Sequence, residues 1–394
     1  MKLKHIITSL LLLSIQVVSF AANKPAKPIP AAHLTHLYVP TIQKLKVALV
    51  VNQTSTIDNK HLVDSLLNLG IHIEKIFAPE HGFRGNIDAG NDVPSSIDSL
   101  TGISIISLYG NHKKPNKADL NNCDIVIFDI QDVGVRFYTY LSTLHYVMEA
   151  CAENAVPLMV LDRPNPNGSY IDGPVLDTNT CKSFVGLHPV PIVYGMTIGE
   201  YALMINGEKW LTNQVKCDLK VIPTAAYTHA SFYTLPNKPS PNLTDNASIV
   251  FYPSLCLFEG TVISVGRGTY NPFKQFGHPL LANNYTYQFT PIAIAGMSMN
   301  PPYLNQTCYG INLADFDANK ILKKGKINLD WIMDMYAKYP NKESFFNSFF
   351  NKLAGNTLLK EQIIAGKSIC SIRHSWKSDL EKFEKVRAKY LLYP

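Results

Sequence analysis

Two carboxylates in constrained surroundings are the residues of this chain best suited to acid–base work. Glu80 stands in Pro79-Glu80-His81-Gly82-Phe83-Arg84-Gly85, where proline stiffens the turn and Gly82 and Gly85 let a ligand approach the backbone closely. Glu259 stands in Phe258-Glu259-Gly260-Thr261, between apolar residues and glycine, a setting that partly desolvates a carboxyl. Arg267 lies between Gly266 and Gly268 and can either present its guanidinium to a substrate carboxylate or pair with Glu259. Two carboxyl groups across a cleft suit glycoside hydrolysis: one protonates the leaving oxygen, and the other activates water or attacks carbon. With Glu80 as the acid, Glu259, Asp129 or Asp132 is the candidate partner.

Such groups need a scaffold, and the first half of the chain supplies a regular one. Val47 to Val51 is an almost wholly apolar run, as expected of a strand buried on both faces. A helix comes next, capped by Asp58, with Leu62, Val63, Leu66, Leu67 and Leu69 on its apolar face and Gly70 at its end. Further strands are expected at 71–77, 103–108, 124–128 and 157–161, and a helix from Tyr138 to Asn154. Strands alternating with helices predict an α/β fold, a Rossmann-like parallel sheet. Thr197 to Asn206 reads as a helix with a Thr197–Glu200 capping box, and Leu219 to Ile222 as another strand. Beyond residue 225 prolines and glycines punctuate short segments before helices return at Asp330 to Tyr336 and Trp376 to Leu391. The expected division is a sheet domain over 45–225 and a smaller α+β domain over 226–394.

Each strand runs directly into polar residues. Asn52 and Gln53 come after the first, Glu80, His81 and Arg84 after the second, and Tyr109 to His112 after the third. Asp129, Gln131 and Asp132 come after the fourth with Arg136 just beyond, and the fifth ends in Asp162, Arg163 and Asn165. In an open α/β sheet these carboxyl ends share one rim, where ligands bind. Clusters converging on one edge make a poor core and a good pocket. Singly, each has a plainer reading. Asp129 and Asp132 can cap the following helix, Asp162 and Arg163 can form an ion pair, and the prolines and asparagines after them are turn chemistry. Ser240 and Asn242, in Ser240-Pro241-Asn242, add polar groups from the second half.

The ends of the chain bear on where it works. Lys2, Lys4 and His5 precede a mostly apolar run to Phe20, and Ser19 and Ala21 are the small residues a signal peptidase reads, so residues 1–21 are expected to be a cleaved secretory signal. The apolar run is short for a spanning helix, and no later segment has a span's length and apolarity. Asn23 to Ala32, rich in proline and lysine, reads as disordered, within a leader over residues 22–44. The signal carries two lysines and no acids, so the net charge of +6 falls to +4 on its removal, too mild to argue for nucleic acid. The seven cysteines form no C-x-x-C pair, which argues against a zinc or redox motif. Export to the periplasm, or beyond the cell, is expected.

The strings Ala78 to Gly85, Asp129 to Tyr140, Leu161 to Pro166, Gly195 to Glu200, Ser240 to Asn242, Phe258 to Thr261 and Ser264 to Thr269 resemble, in order, those of the NamZ (YbbC-like) exo-β-N-acetylmuramidases. The resemblance covers roughly residues 45 to 390; Gly277-His278-Pro279 departs from it where Gly-Ala-Pro is expected. It implies a Rossmann-like domain with an auxiliary domain and the active-site cleft between them, and a peptidoglycan-recycling glycosidase that releases N-acetylmuramic acid from non-reducing ends, with Glu80 as the leading catalytic candidate and no cofactor. The partner role of Glu259 is an extension beyond it. N-acetylmuramic acid carries a lactyl carboxylate, for which Arg84, Arg136, Arg163 and Arg267 are the available cations, Arg267 foremost.

Three other readings compete. A metal-dependent hydrolase would use Glu80, His81, Asp129 and His278, whose spacing matches no familiar ligand motif. A nicotinamide enzyme would need G-x-G-x-x-G after the first strand, where Asn52 to Thr56 stand instead. A non-catalytic periplasmic amino-sugar or muropeptide-binding protein fits the two-domain form and differs by lack of turnover.

Overall fold

The computed structural model describes residues 27–84 and 94–394. The signal segment and Gly85 lie outside them. The strands are β1 (Lys46–Val51), β2 (Thr56–Ile57), β3 (Lys60–His61), β4 (His72–Ala78), β5 (Ser96–Ile97), β6 (Ser104–Ser107), β7 (Ile125–Asp129), β8 (Leu158–Leu161) and β9 (Leu219–Ile222) in the first half. Seven of them form one sheet in the order β5-β6-β4-β1-β7-β8-β9, parallel except for the short edge strand β5, while β2 and β3 pair as a hairpin. Side chains alternate between two cores, as a period of two requires. Ala48, Val50, Val126, Phe128, Leu158 and Val160 face one, and Val47, Leu49, Ile125, Ile127, Met159 and Leu161 the other.

Helices α1 (Thr35–Ile42), α2 (Leu62–Asn68), α3 (Tyr140–Glu153) and α4 (Ile198–Gly207) accompany the sheet. The Thr197–Glu200 capping box opens α4 with both of its hydrogen bonds. At α2 the cap is His61, whose ring nitrogen accepts from Val63 N, whereas Asp58 takes a left-handed conformation (φ 50°) in the β2–β3 turn. The expectation of disorder over Asn23 to Ala32 is corrected from Lys27 onward. Ile29 and Ala225 exchange backbone hydrogen bonds of 2.8 and 2.9 Å, and Ala31 N donates to Asp162 O at 2.9 Å. Ala31, Ala32, Tyr38 and Ile42 are fully buried, so this stretch and α1 belong to the second core. The prolines set the extended entry that makes this pairing possible.

The second half builds on α5 (Asn246–Leu255), which runs into a 3₁₀ turn at Cys256–Gly260. A three-stranded antiparallel sheet comes next, β10 (Gln275–His278), β11 (Tyr287–Phe289) and β12 (Cys308–Asn312), with β12 in the middle. Helices α6 (Asn319–Lys324), α7 (Asp330–Lys338), α8 (Phe350–Ala354), α9 (Leu358–Ile364) and α10 (Ile369–Arg387) complete it. One apolar core runs from the sheet's first face through α5, α7 and α10, and this fixes the two halves against each other. The C-terminus returns to the large sheet: Tyr393 Oη donates to Asp162 at 2.6 Å, and Leu392 N to Glu200 at 2.8 Å.

Candidate active site

All the parallel strands end on one rim, and the loop after β4 carries Glu80 there. His81 and Gly82 both adopt left-handed backbone (φ 70° and 77°), which folds the chain back immediately after the glutamate. Glu80 Oε1 accepts from Tyr109 Oη at 2.9 Å, and Oε2 from Thr139 Oγ1 at 2.6 Å. A hydroxyl can donate or accept, so this pair holds the carboxyl in one orientation whether or not it carries a proton. Tyr138 and Tyr140 flank Thr139 with rings 4.8 Å apart, and Tyr138 Oη donates to Pro239 O at 2.6 Å. That bond ties the Glu80 wall to the segment that carries Ser240.

Facing it is a cavity of about 130 Å³ whose walls come from both halves: Glu80, His81 and the 137–140 segment on one side, and Ser240, Glu259, Arg267, Phe349 and Leu353 on the other. Glu259 sits in the 3₁₀ turn after α5. A Cβ on Gly260 would stand 2.4 Å from the Phe350 Cα, so only glycine lets this turn pack against α8 and aim Glu259 at the cavity. Arg267 Nε donates to Glu259 Oε1 at 2.6 Å, while the Cys256 thiol approaches Oε2 at 3.4 Å. Burial works against the Arg267 charge, but the Glu259 carboxylate outweighs it and raises the arginine's pKa. Of the two readings of these residues, the mutual pair is the one realised. Arg267 still contributes to the cavity wall, because Glu259 takes only its inner nitrogen.

A rim glutamate and a glutamate–arginine pair lining one cavity between two halves supply the two carboxyl groups that glycoside hydrolysis needs. Two family models together match nearly all of the described chain: the N-terminal part of exo-β-N-acetylmuramidase NamZ over residues 47–247 and its C-terminal part over 250–393. The chain belongs to the NamZ exo-β-N-acetylmuramidase family. It is 38% identical over 389 residues to the peptidoglycan β-N-acetylmuramidase NamZ of Bacillus subtilis, a match covering 94% of this chain and 92% of that one. Two crystal structures of DUF1343 family proteins from Bacteroides fragilis share the fold. One has a TM-score of 0.87 at 47% identity and the other 0.79 at 26%, each covering 93% of this chain and 99% of its own.

Within this NamZ fold the residues expected at the site separate into two groups. Glu80, His81, Ser240, Glu259 and Arg267 line the cavity. The rest hold hydrogen bonds or ion pairs elsewhere in the fold. Asp129 is fully buried and receives Arg163 in a two-pronged bond, Nε to Oδ1 at 2.6 Å and a terminal nitrogen to Oδ2 at 2.8 Å, so neither is offered to a substrate. Asp162, also fully buried, accepts from Arg163 N, Gly199 N, Thr197 Oγ1 and Tyr393 Oη, and so anchors α4 and the C-terminus. Asp132 accepts from Gly134 N at 2.6 Å and from Tyr194 Oη, and burial pushes its carboxyl up to about 6.

Arg136 is a buried strut, donating at 2.8 Å to Pro174 O, Val190 O and Leu353 O, with its pKa lowered to about 10 by burial. Asn165 donates to Met196 O and Gln131 to Pro164 O, tying rim loops to distant segments, while Asn52 accepts from Thr54 N and closes a local turn. Gln53 bridges to Pro239 O at 3.1 Å and Asn242 to Met297 O at 3.0 Å. Arg84 pairs with Asp98 at 3.0 Å beside a separate cavity of about 280 Å³.

Thr139, Tyr138 and Tyr140 escape a reading of the sequence because Phe137 to Tyr140 looks like the start of α3. Their position just past Asp129-Ile-Gln-Asp is the available signal. Tyr109 lies in a rim cluster that the strand ends already single out. Among the described residues no three His, Cys, Asp or Glu side chains stand where they could share a metal ion. His278, one of the ligands a metal site would have used, packs between the Tyr303 and Tyr339 rings instead.

Proposed function

We propose that this protein is an exo-acting glycoside hydrolase that releases N-acetylmuramic acid from the non-reducing end of peptidoglycan fragments. The observation that carries the reading is that Glu80 and the Glu259–Arg267 pair line one small cavity built from both halves. In the reaction the bond from the anomeric carbon to the leaving oxygen breaks, that oxygen gains a proton, and water supplies a hydroxyl to the carbon. Glu80, fixed by Tyr109 and Thr139, is the group that gives the proton; Glu259 is the carboxylate on the opposite wall. Arg267 lends its charge to the same wall and suits the lactyl carboxylate of a muramic acid residue.

The deciding experiment is release of N-acetylmuramic acid from the disaccharide N-acetylmuramyl-β-1,4-N-acetylglucosamine by the purified protein. Turnover by the wild type and its loss in a folded Glu80→Gln variant are expected. Binding without release would leave a sugar-binding protein, and full activity in Glu80→Gln would remove the assigned acid.

The same proposal places the protein outside the cytoplasm. Its support is the basic and apolar run before Ala21, and the substrate itself is a wall polymer. Sequencing the N-terminus of the protein recovered from a periplasmic fraction should begin at Ala22; an intact Met1 would refute export by cleavage. No helix among the described residues is long and apolar enough to cross a membrane.

A further inference from the structure

Glu80 has two sides. One faces the cavity with Glu259 and Arg267, and the other meets Tyr109, whose hydroxyl holds Oε1. Beyond Tyr109 the surface continues as a partly exposed aromatic shelf. The Phe184 ring lies 6.1 Å from Tyr109 and 6.3 Å from Tyr146, nearly parallel to the latter at 13°. Lys113 Nζ stands 4.8 Å from the centre of the same ring. Phe184 is placed there by construction. Ser183 and Gly186 exchange two backbone hydrogen bonds of 2.9 Å, making a tight turn with Phe184 and Val185 at its tip. Ser142 Oγ on α3 donates to Phe184 O at 2.6 Å and pins that turn to the helix. Val185, the next residue, lines the cavity, so shelf and cavity are continuous.

Phe184 packs against Tyr109 and Tyr146 yet stays partly exposed beside the Glu80 wall, where a leaving sugar would meet its ring. The cavity of about 130 Å³ is smaller than an N-acetylmuramic acid unit, so a disaccharide extends beyond it and the leaving unit lies on the surface outside. A proton donor stands between the two units it separates, and Tyr109, which holds Glu80 Oε1 without lining the cavity, leads from Glu80 to Phe184. The C–H face of a pyranose carries weak positive potential that complements the negative face of an aromatic ring. Lys113, a long side chain, is able to swing from the ring to the hydroxyls of an arriving sugar.

We infer that Phe184, with Tyr109 and Lys113, forms the subsite for the leaving pyranose. The subsite presupposes the exo-muramidase activity proposed above, and the test separates the two. Wild type, Phe184→Ala and Phe184→Trp are assayed on two substrates: the muramyl–glucosamine disaccharide, and methyl β-N-acetylmuramide, whose leaving group has no ring. Phe184→Ala should lose roughly five- to tenfold in kcat/KM on the disaccharide, mostly through KM, which is the worth of one aromatic contact. On the methyl glycoside it should stay within about twofold of wild type, and Phe184→Trp should recover the disaccharide reaction. If the wild type cleaves neither substrate, the muramidase reading falls and the subsite with it. If the wild type cleaves both and Phe184→Ala loses equally on the two, Phe184 is structural; if it loses on neither, the leaving sugar lies elsewhere. Either result overturns the subsite alone.

Discussion

Replacing Asp129 by asparagine tests whether the rim carboxylates are chemistry or architecture. The Asp129 and Arg163 side chains are 0% and 1% exposed and joined by two short charged hydrogen bonds. The aspartate also overcomes the burial that disfavours the guanidinium and raises its pKa. An asparagine would keep the shape but leave the Arg163 charge uncompensated in a site walled by Tyr38 and Tyr233. Breaking a buried pair from one side costs about 3–5 kcal/mol, a large part of the roughly 5–15 kcal/mol that holds an ordinary domain folded. Removing both charges, as in Asp129→Leu with Arg163→Met, leaves no orphan and should restore most of that loss. Urea unfolding followed by tryptophan fluorescence reads the stability, and disaccharide hydrolysis at a temperature where every variant is folded reads the chemistry. Asp129→Asn is expected to lose stability by that amount and keep turnover within a few fold. A variant as stable as wild type but inactive would return Asp129 to the reacting groups and refute the assignment.

Thr139→Val removes the hydroxyl on Glu80 Oε2 at constant shape; kcat should fall about tenfold with KM unchanged, and Thr139→Ser should restore it, as steady-state kinetics will show. Arg267→Lys keeps a charge near Glu259 but loses the planar fork, so inhibition by N-acetylmuramic acid should weaken about tenfold more than inhibition by N-acetylglucosamine. Tyr393→Phe strips a hydroxyl that donates to Asp162 and accepts from Thr224 N, at a cost of about 1–3 kcal/mol in urea unfolding. Burial lowers the His145 imidazole from 6.5 to about 4 and holds His188 well below its ordinary value. The unfolded chain therefore binds protons first on acidification, and stability present above pH 6.5 should decline between pH 6.5 and 4, less steeply in His188→Gln.

The sheet was legible because its strands are apolar on both faces and its helices carry their own stop signals. Runs such as Val47 to Val51 and Leu158 to Leu161 have no other comfortable conformation. The second half lacked such signals for physical reasons. Pro253 reads as a breaker, yet it sits inside α5, a helix buried over most of its length. In the small sheet Gly277 pairs directly with Gly310, and a Cβ on Gly310 would come within 1.9 Å of Phe276 O. Glycines chosen for close strand contact erase the alternation by which strands are recognised.

The rim shows why a site is harder to read than a fold. Polar residues after parallel strands have two available fates, and sequence position does not distinguish them. Asp129 and Asp162 turn toward partners that the chain supplies from 34 and as far as 231 positions away, Arg163 and Tyr393, and become ties that hold the rim together. Glu80 turns the other way, and its partners Tyr109 and Thr139 leave it facing the cavity. The difference lies in which donors surround each carboxylate. Asp129 is closed off by Arg163, and Asp162 by Arg163 N, Thr197, Gly199 N and Tyr393, whereas Glu80 keeps a place in the lining of the cavity to which the second half adds Glu259 and Arg267. The buried ties are what make that cavity reproducible. A cavity of about 130 Å³ tolerates little drift of its walls, so the rim residues that never touch substrate still set the geometry in which Glu80 works.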